Sequence, residues 1–235
     1  MKYIYSLILI ASLMVIIHSG YSQSITEEFE KMRAAYMKNT NYSCNIKYAY
    51  YEGYTSTTPQ MLVKGEYKRE GMKSYSSMGG SEVISNHDYV LVVNNTEHEI
   101  TYLPKASYGT LNNGLDASMD SLLSVYKKVS RTKIDGSREA YDLEMPDGGM
   151  YNKIRIVFNK TVNMAEKLVI YYSMSATDTK EIVPASKLPR LDITYTDYQF
   201  NVTYPPYTFT YDKYLIKQGM KRYACTNAYK HYRIN

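Results

Sequence analysis

Along most of the chain, apolar and polar residues alternate with a period of two, which predicts β-strands. In the second predicted strand, for example, Met61, Val63 and Tyr67 share one face, whereas Lys64, Glu66 and Lys68 lie with Leu62 on the other. Glycine, asparagine and proline separate the runs, as expected for tight turns in an antiparallel sheet. Strands are predicted at residues 45–51, 61–68, 73–78, 82–85, 89–93, 97–102, 128–134, 139–145, 153–158, 167–172 and 191–200.

Two segments instead repeat their apolar residues every three or four positions, which predicts helices. The first helix is expected at residues 26–38, with Ser24 or Thr26 as a candidate cap and acidic residues in its first turn. The second has a narrow apolar stripe, and we interpret it either as a mobile lid over a binding site or as an ordinary packed helix. That stripe comprises Leu115, Met119, Leu122 and Tyr126. The predicted class is therefore α+β, mainly β.

The N-terminus has the pattern of a cleavable export signal. Lys2 precedes an apolar run at residues 7–17, and the small residues Gly20 and Ser22 follow it, which places cleavage after Ser22. An uncleaved membrane anchor is the alternative, but the run is shorter than the roughly 20 residues of a spanning helix. A lipoprotein would carry a cysteine directly after the signal, whereas the first cysteine is Cys44. We expect an exported, periplasmic, soluble protein without a lipid anchor.

Composition adds an unusual choice of aromatic residues, with 28 Tyr, 4 Phe and no Trp. Tyrosine favours strands and combines a large apolar ring with a polar tip that needs a partner. This choice suits a sheet with one hydrated face or an apolar cavity that is not dry. The alternative is that tyrosine merely replaces phenylalanine.

The net charge of +5 is concentrated near the C-terminus, where residues 213–235 hold six Lys or Arg and no Asp or Glu. Such a basic, tyrosine-rich tail could make transient contact with a membrane surface or dock an acidic protein partner. The alternative, which the sequence favours, is a solvated terminal strand whose Lys and Arg stems lie along apolar surface. Nucleic acid is excluded as a partner by the export signal.

The two cysteines, Cys44 and Cys225, are a candidate disulfide because the chain is expected to be exported. Their positions alone do not decide whether the sulfurs meet.

No catalytic pattern has a convincing spacing. After the signal, His87, His98 and His231 lack a second ligand at the spacing of a metal site. The motifs of serine hydrolases, phosphate loops and dinucleotide sites are absent from the sequence. We therefore predict a protein that is not an enzyme and uses no cofactor or metal.

The order of elements resembles a known family. A helix and a strand precede "VKGEYKREGMKSYSSMGGSEVISNHDYVLVVNNTEHEITYLPK", and "AYDLEMPDGGMYNKIRIVFNK", "AEKLVIYYSM" and "LDITYTDYQFN" follow. Together, residues 25–201 resemble the outer-membrane lipoprotein carriers of the LolA/LolB-like family, including an ending with Asp197, Tyr198 and Asn201. The resemblance implies an incomplete antiparallel β-barrel, or curved sheet, with helices in its open mouth. The C-terminal segment departs from the family pattern.

The expected organisation is a signal peptide at residues 1–22, a LolA/LolB-like half-barrel domain at 23–212 and a basic extension at 213–235. The resemblance implies a carrier that binds the acyl chains of lipoproteins or other lipids in an apolar concavity. An alternative function is a non-enzymatic envelope module, a binding or sensor domain that docks a protein partner through the same fold.

Strand alternation then gives the residues expected to line the concavity. A closed core beneath the helices, with no room for a ligand, is the alternative for the same set. The predicted lining comprises Met61, Val63, Tyr67, Leu91, Val93, Ile100, Tyr102, Leu143, Ile156, Phe158, Leu168 and Ile170.

Overall fold

The computed structural model describes residues 27, 30–31, 34–35, 37–104, 126–174, 184–219 and 222–235. Within these ranges, every predicted strand is present, and three short strands are added near the C-terminus. The strands are β1 (Asn41–Tyr51), β2 (Met61–Glu70), β3 (Lys73–Met78), β4 (Ser81–Ser85), β5 (Tyr89–Asn94), β6 (Glu99–Pro104), β7 (Lys128–Lys133), β8 (Arg138–Glu144), β9 (Tyr151–Asn159), β10 (Met164–Tyr172), β11 (Arg190–Phe200), β12 (Leu215–Lys217), β13 (Tyr223–Cys225) and β14 (Arg233–Ile234).

Twelve strands form one open sheet in the order β14-β6-β5-β4-β3-β2-β1-β11-β10-β9-β8-β7, and β12 pairs with β13 in a second, two-stranded sheet. Neighbours from β2 to β6 and from β7 to β10 are antiparallel. The short strand β14 runs parallel to β6. The mainly β class is therefore confirmed.

Only part of the predicted helices falls within the described residues. The backbone is helical at Glu27, Glu30, Lys31, Ala34, Ala35, Met37 and Lys38. The Lys31 ammonium lies 3.0 Å from the Glu27 carboxylate one turn away. The other residues of the predicted helix 26–38 are outside the described ranges, so the complete helix stays a prediction. No helix in the described residues is long and apolar enough to cross a membrane.

The chain divides into two compact units. Unit 1 comprises Met1–Met37, Tyr50–Gln60 and Ser118–Asp192 and contains β7 to β10. Alternation on β9 places Ile154, Ile156 and Phe158 on one face, where all three are buried. The Phe158 ring meets the Tyr141 ring edge-on, with centroids 5.7 Å apart. These side chains form the apolar core of this unit.

A buried carboxylate on β8 of unit 1 joins β7 and the turn that follows β9. The Arg131 guanidinium donates two hydrogen bonds to Glu139, of 2.7 and 2.6 Å. The Lys160 ammonium also donates to Glu139. These bonds, that of Arg131 first, lower the pKa of Glu139 to about 2 although burial opposes them. Glu139 is therefore charged and paired at neutral pH.

Unit 2 comprises Lys38–Ala49, Met61–Ala117 and Ile193–Asn235 and contains β2 to β6 and the C-terminal strands. In its β2–β3 hairpin, Gly65 pairs with Met78. A Cβ atom at Gly65 would collide with the carbonyl oxygen of Ser77. The close approach of β3 thus requires glycine at this position.

Candidate binding surface

The pairing of β2 to β6 defines two faces of the sheet in unit 2. Successive residues of a strand point to opposite faces of the sheet. Residues that pair across neighbouring strands form a row on one face, and the next row along the strands lies on the other face. One row comprises Tyr67, Ser76, Val83, Val92 and Thr101. The adjacent row comprises Lys68, Tyr75, Ile84, Leu91 and Tyr102.

The face that carries Ile84, Leu91, Val93 and Ile100 is hereafter the covered face. Each of these four side chains is at most 1% exposed. Residues 204–235, the C-terminal segment, pack against them through Tyr214 and other apolar side chains. The chain thus closes this face itself. The other packed side chains of the segment are Leu215, Tyr211, Tyr223, Cys225, Tyr229, Tyr232 and Ile234.

Glu82 fastens the C-terminal segment to the covered face. Its buried carboxylate accepts hydrogen bonds from the Tyr214 hydroxyl (2.6 Å) and the Lys213 ammonium (3.1 Å) of the segment. From the sheet side, the Tyr75 hydroxyl (2.9 Å) and the Asn95 amide (3.1 Å) also donate to it. Burial raises the pKa of Glu82, but these four hydrogen bonds outweigh it and leave the pKa below its usual value.

The tyrosines of the C-terminal segment explain part of the unusual composition. The Tyr102 ring lies 4.6 Å from the Tyr223 ring and 5.1 Å from the Tyr89 ring, between centroids. The polar tips find partners: the Tyr232 hydroxyl donates to the Asn95 side-chain oxygen (2.9 Å). The Tyr89 hydroxyl accepts from the backbone N–H of Tyr211 (2.9 Å). Tryptophan or phenylalanine could not make this combination of contacts.

The opposite face differs in both packing and side-chain size. We call it the valine face, after Val63, Val83, Val90 and Val92, which are all half-buried. Leu103 and Tyr67 share this face and are also half-buried. At one margin Met61 is 51% exposed and Met78 is 37% exposed. The valine face thus carries short apolar side chains interspersed with short polar ones, and two flexible methionines lie at its margin. The polar side chains include those of Ser74, Ser76, Ser85 and Thr101.

Aromatic rings border the valine face on the side of β1 and β11. The Tyr67 ring lies 5.8 Å from the Tyr42 ring, which in turn lies 6.4 Å from that of Phe200. Cys44 lies on the same strand as Tyr42, and burial raises the pKa of its thiol to about 12. Burial also raises the pKa of Tyr67. This border therefore combines the buried Tyr42 and Cys44 with the half-buried rings of Tyr67 and Phe200.

The structure separates the predicted cavity residues into three groups. Leu91, Val93, Ile100 and Tyr102 lie on the covered face, under the C-terminal segment. The β2 residues Met61, Val63 and Tyr67 lie on the valine face. The rest are in unit 1, where the β8–β9 and β9–β10 registers place them on one common face. They are Leu143, Ile156 and Phe158, which are buried, and Leu168 and Ile170, which are half-buried.

The separation has a simple cause in the hairpins. Alternation within one strand does not say which of its faces matches which face of the next strand. The two-residue turns at 71–72 and 79–80 fix that match, because they pair Glu70 with Lys73 and Met78 with Ser81. The same register places Val83 and Val92 on the face of the sheet that carries Tyr67. These two valines were missing from the predicted set.

The predicted disulfide is not formed, since both cysteines are free. Cys225 packs over β4 to β6, and its thiol donates to the carbonyl oxygen of Tyr232 (3.4 Å). Cys44 is buried on β1, three strands away from β4 in the sheet. Three strand spacings amount to roughly 14 Å, well beyond the Cα separation of a disulfide.

The predicted lid falls mostly outside the described residues. Leu115, Met119 and Leu122 are not described, and Tyr126 is half-buried and not helical. The signal peptide at residues 1–22 is likewise outside the described ranges. The predicted extension at 213–235, by contrast, is part of unit 2. Of its basic residues, Lys213 pairs with Glu82 and Arg233 with Glu99.

Comparison with known proteins gives matches among solved structures only. No protein-family model matches the chain, and no curated protein matches it. The chain is similar to a LolA superfamily protein from Nitrosomonas europaea, at 14% identity and a TM-score of 0.33, over 81% of this chain and 97% of that one. It is also similar to the Mycobacterium tuberculosis lipoprotein LppX, at 12% identity and a TM-score of 0.37, over 77% and 98%.

A third similar structure is the MucA/MucB complex of Pseudomonas aeruginosa. The identity is 12% and the TM-score 0.47, over 78% of this chain and 59% of the matched chain. The family that the strand pattern resembles is thus present among the structures to which the chain is similar. No group of three or more His, Cys, Asp or Glu within the described part of the chain could hold a metal ion.

Proposed function

We propose that the protein is a non-enzymatic, periplasmic carrier that holds the acyl chain of a lipid or a lipid-modified protein on the valine face. One observation supports the proposal: the covered face is closed by the C-terminal segment, whereas the valine face carries half-buried valine side chains among short serine and threonine side chains. Of the two faces of β2 to β6, the valine face is therefore the one whose described apolar side chains stay partly accessible to a ligand.

The chemistry of the valine face suits an acyl chain. Each methylene that leaves water contributes about 0.8 kcal/mol, so a chain of several methylenes gains enough to bind a modest apolar surface. Short valine side chains give a flat bed that a flexible chain can follow. Met61 and Met78, at the exposed margin, can adapt to ligands of different shape because their side chains are unbranched and flexible.

A charge placed in the middle of the valine face tests the proposal. Val92→Glu puts a carboxylate where the acyl chain would lie, and an unpaired charge against hydrocarbon is strongly disfavoured. The parent should bind a fluorescent fatty acid saturably, and Val92→Glu should bind it at least about tenfold more weakly, since a loss of about 1.4 kcal/mol is already sufficient for that factor. Fluorescence titration measures both.

The matched control is Val162→Glu, the same substitution in the turn between β9 and β10, where Val162 is also half-buried. This variant should bind the probe like the parent. The proposal is wrong if the parent shows no saturable binding, or if Val162→Glu loses as much affinity as Val92→Glu.

A further inference from the structure

A shallow groove crosses β9 and β10 of unit 1, on the face opposite the buried side chain of Ile156. Its volume is about 330 Å³. Val157 and Val169 form its floor and are 8% and 5% exposed, and Tyr171 forms one wall. The remaining lining residues are charged: Arg155, Lys167, Arg190 and Asp192.

The groove has more positive than negative charge. Asp192 pairs with Arg190 (2.7 Å) and with Lys167 (2.8 Å). Asp142, the cross-strand partner of Arg155, lies 3.5 Å from the Arg155 guanidinium. It lies 3.6 Å from the Lys153 ammonium as well. Each carboxylate thus serves two cations, so these six residues have a surplus of two positive charges.

Two of the cations have donors to offer to a ligand. Arg190 is already engaged, since it donates to the carbonyl oxygens of Tyr54 and Ser56 as well as to Asp192. Arg155 has five N–H donors, more than its 3.5 Å contact with Asp142 can use. Lys167 has three, one of which reaches Asp192.

The sheet holds these two cations at a useful separation. Arg155 pairs with Val169, and Lys167 pairs with Val157, so Arg155 and Lys167 are diagonal neighbours on adjacent strands. Their Cβ atoms are therefore roughly 7–8 Å apart. Both side chains can reach one anion between them, and the two valines lie beneath that position.

The geometry points to this groove as a binding site for a phosphate ester with an apolar substituent. A phosphate monoester is close to a dianion at neutral pH and matches the surplus of two positive charges. Its oxygens can accept a forked pair of bonds from Arg155 and a further bond from Lys167. The substituent then contacts Val157, Val169 and Tyr171. The site belongs to unit 1 and goes beyond acyl binding on the valine face.

Calorimetric titration with phenyl phosphate and with inorganic phosphate tests the site. We expect phenyl phosphate to bind more tightly than inorganic phosphate, because only the ester uses the apolar floor. Arg155→Gln and Lys167→Gln should each weaken phenyl phosphate binding by about tenfold or more, as expected for loss of a hydrogen bond to a charged group. Arg155→Lys keeps the charge but loses the forked geometry, so its affinity should be intermediate.

The matched control is Lys133→Gln, which removes the same charge from an exposed position of β7. Lys133→Gln should change the affinity by less than about twofold, because separated surface charges are screened by salt. Circular dichroism should show the same fold for all variants. The site is refuted if the parent does not bind phenyl phosphate, or if Lys133→Gln weakens binding as much as Arg155→Gln.

Vesicles distinguish the two sources of such an ester. If the protein sediments with phosphatidate vesicles but not with phosphatidylcholine vesicles, and Arg155→Gln abolishes this sedimentation, the ligand is a lipid headgroup. Binding of phenyl phosphate without sedimentation assigns it to a soluble ester. Failure in both assays overturns the site and leaves acyl binding on the valine face untouched.

Discussion

The covered face and the valine face belong to the same five strands and are built by the same alternation, yet they differ in burial. Leu91 and Val93 are fully buried, whereas Val90 and Val92, their neighbours on β5, are half-buried. The difference comes from the C-terminal segment, which is about a hundred residues away along the chain. A strand's own pattern therefore defines two faces, and a distant segment decides which of them becomes core.

Removing the carboxylate that fastens the segment should have the largest effect. Glu82→Leu leaves the buried donors of Tyr75, Tyr214 and Asn95 without their acceptor, and breaking such a network costs about 3–5 kcal/mol. Urea unfolding measures the loss, and limited proteolysis should cut the C-terminal segment faster. The control Glu144→Leu, at an exposed position of β8, should cost less than about 1 kcal/mol. Equal costs for the two variants would show that Glu82 does not hold the segment.

A matched pair on β5 compares the two faces directly. Val93→Ala empties space among packed side chains of the covered face and should cost about 2–3 kcal/mol, from lost burial plus the cavity. Val92→Ala, one residue away on the valine face, should cost less than about 1 kcal/mol because its side chain is only half-buried. Urea unfolding of both variants gives the difference. Similar costs would mean that the valine face is packed as tightly as the covered face.

Acid should lower the free energy of unfolding through Glu82, by less than the substitutions above. Hydrogen bonds hold the pKa of Glu82 below its usual 4.5 despite burial, so the unfolded chain takes up the proton first as the pH falls. The stability from this carboxylate is complete above about pH 4.5 and is lost as the pH falls through the folded-state pKa. Unfolding free energies at pH 6, 4.5 and 3 should fall more steeply for the parent than for Glu82→Gln. Parallel profiles would contradict the lowered pKa.

The strands could be predicted because their signal is local. Residues 73–78 and 191–200, for example, have both the alternation and the flanking turn residues of the observed β3 and β11. Strand alternation also predicted that Leu143, Ile156 and Phe158 share one face, and all three are buried there, although the sequence prediction assigned them to a ligand cavity with a closed core as the alternative.

The C-terminal segment could not be predicted from its local pattern. Strands β12 and β13 have three residues each, too few to show a period. Six basic residues suggested a solvated tail, but Lys213 takes part in the buried network of Glu82. A long-range partner, and not local propensity, determines the conformation of this segment. For the same reason, the pairing of Cys44 with Cys225 was wrong.

The pairing of β14 with β6 has a consequence for self-association. Residues 233–235 pair with the edge of β6 through three backbone hydrogen bonds: Arg233 donates to His98, Asn235 donates to Ile100, and Tyr102 donates to Asn235. An unpaired β6 would expose a row of backbone donors and acceptors that another chain could extend. Strand β14, with two residues and the charged Arg233, is too short to offer a new template. Residues 233–235 thus occupy backbone groups at the edge of β6 that an added strand from a neighbouring molecule would need.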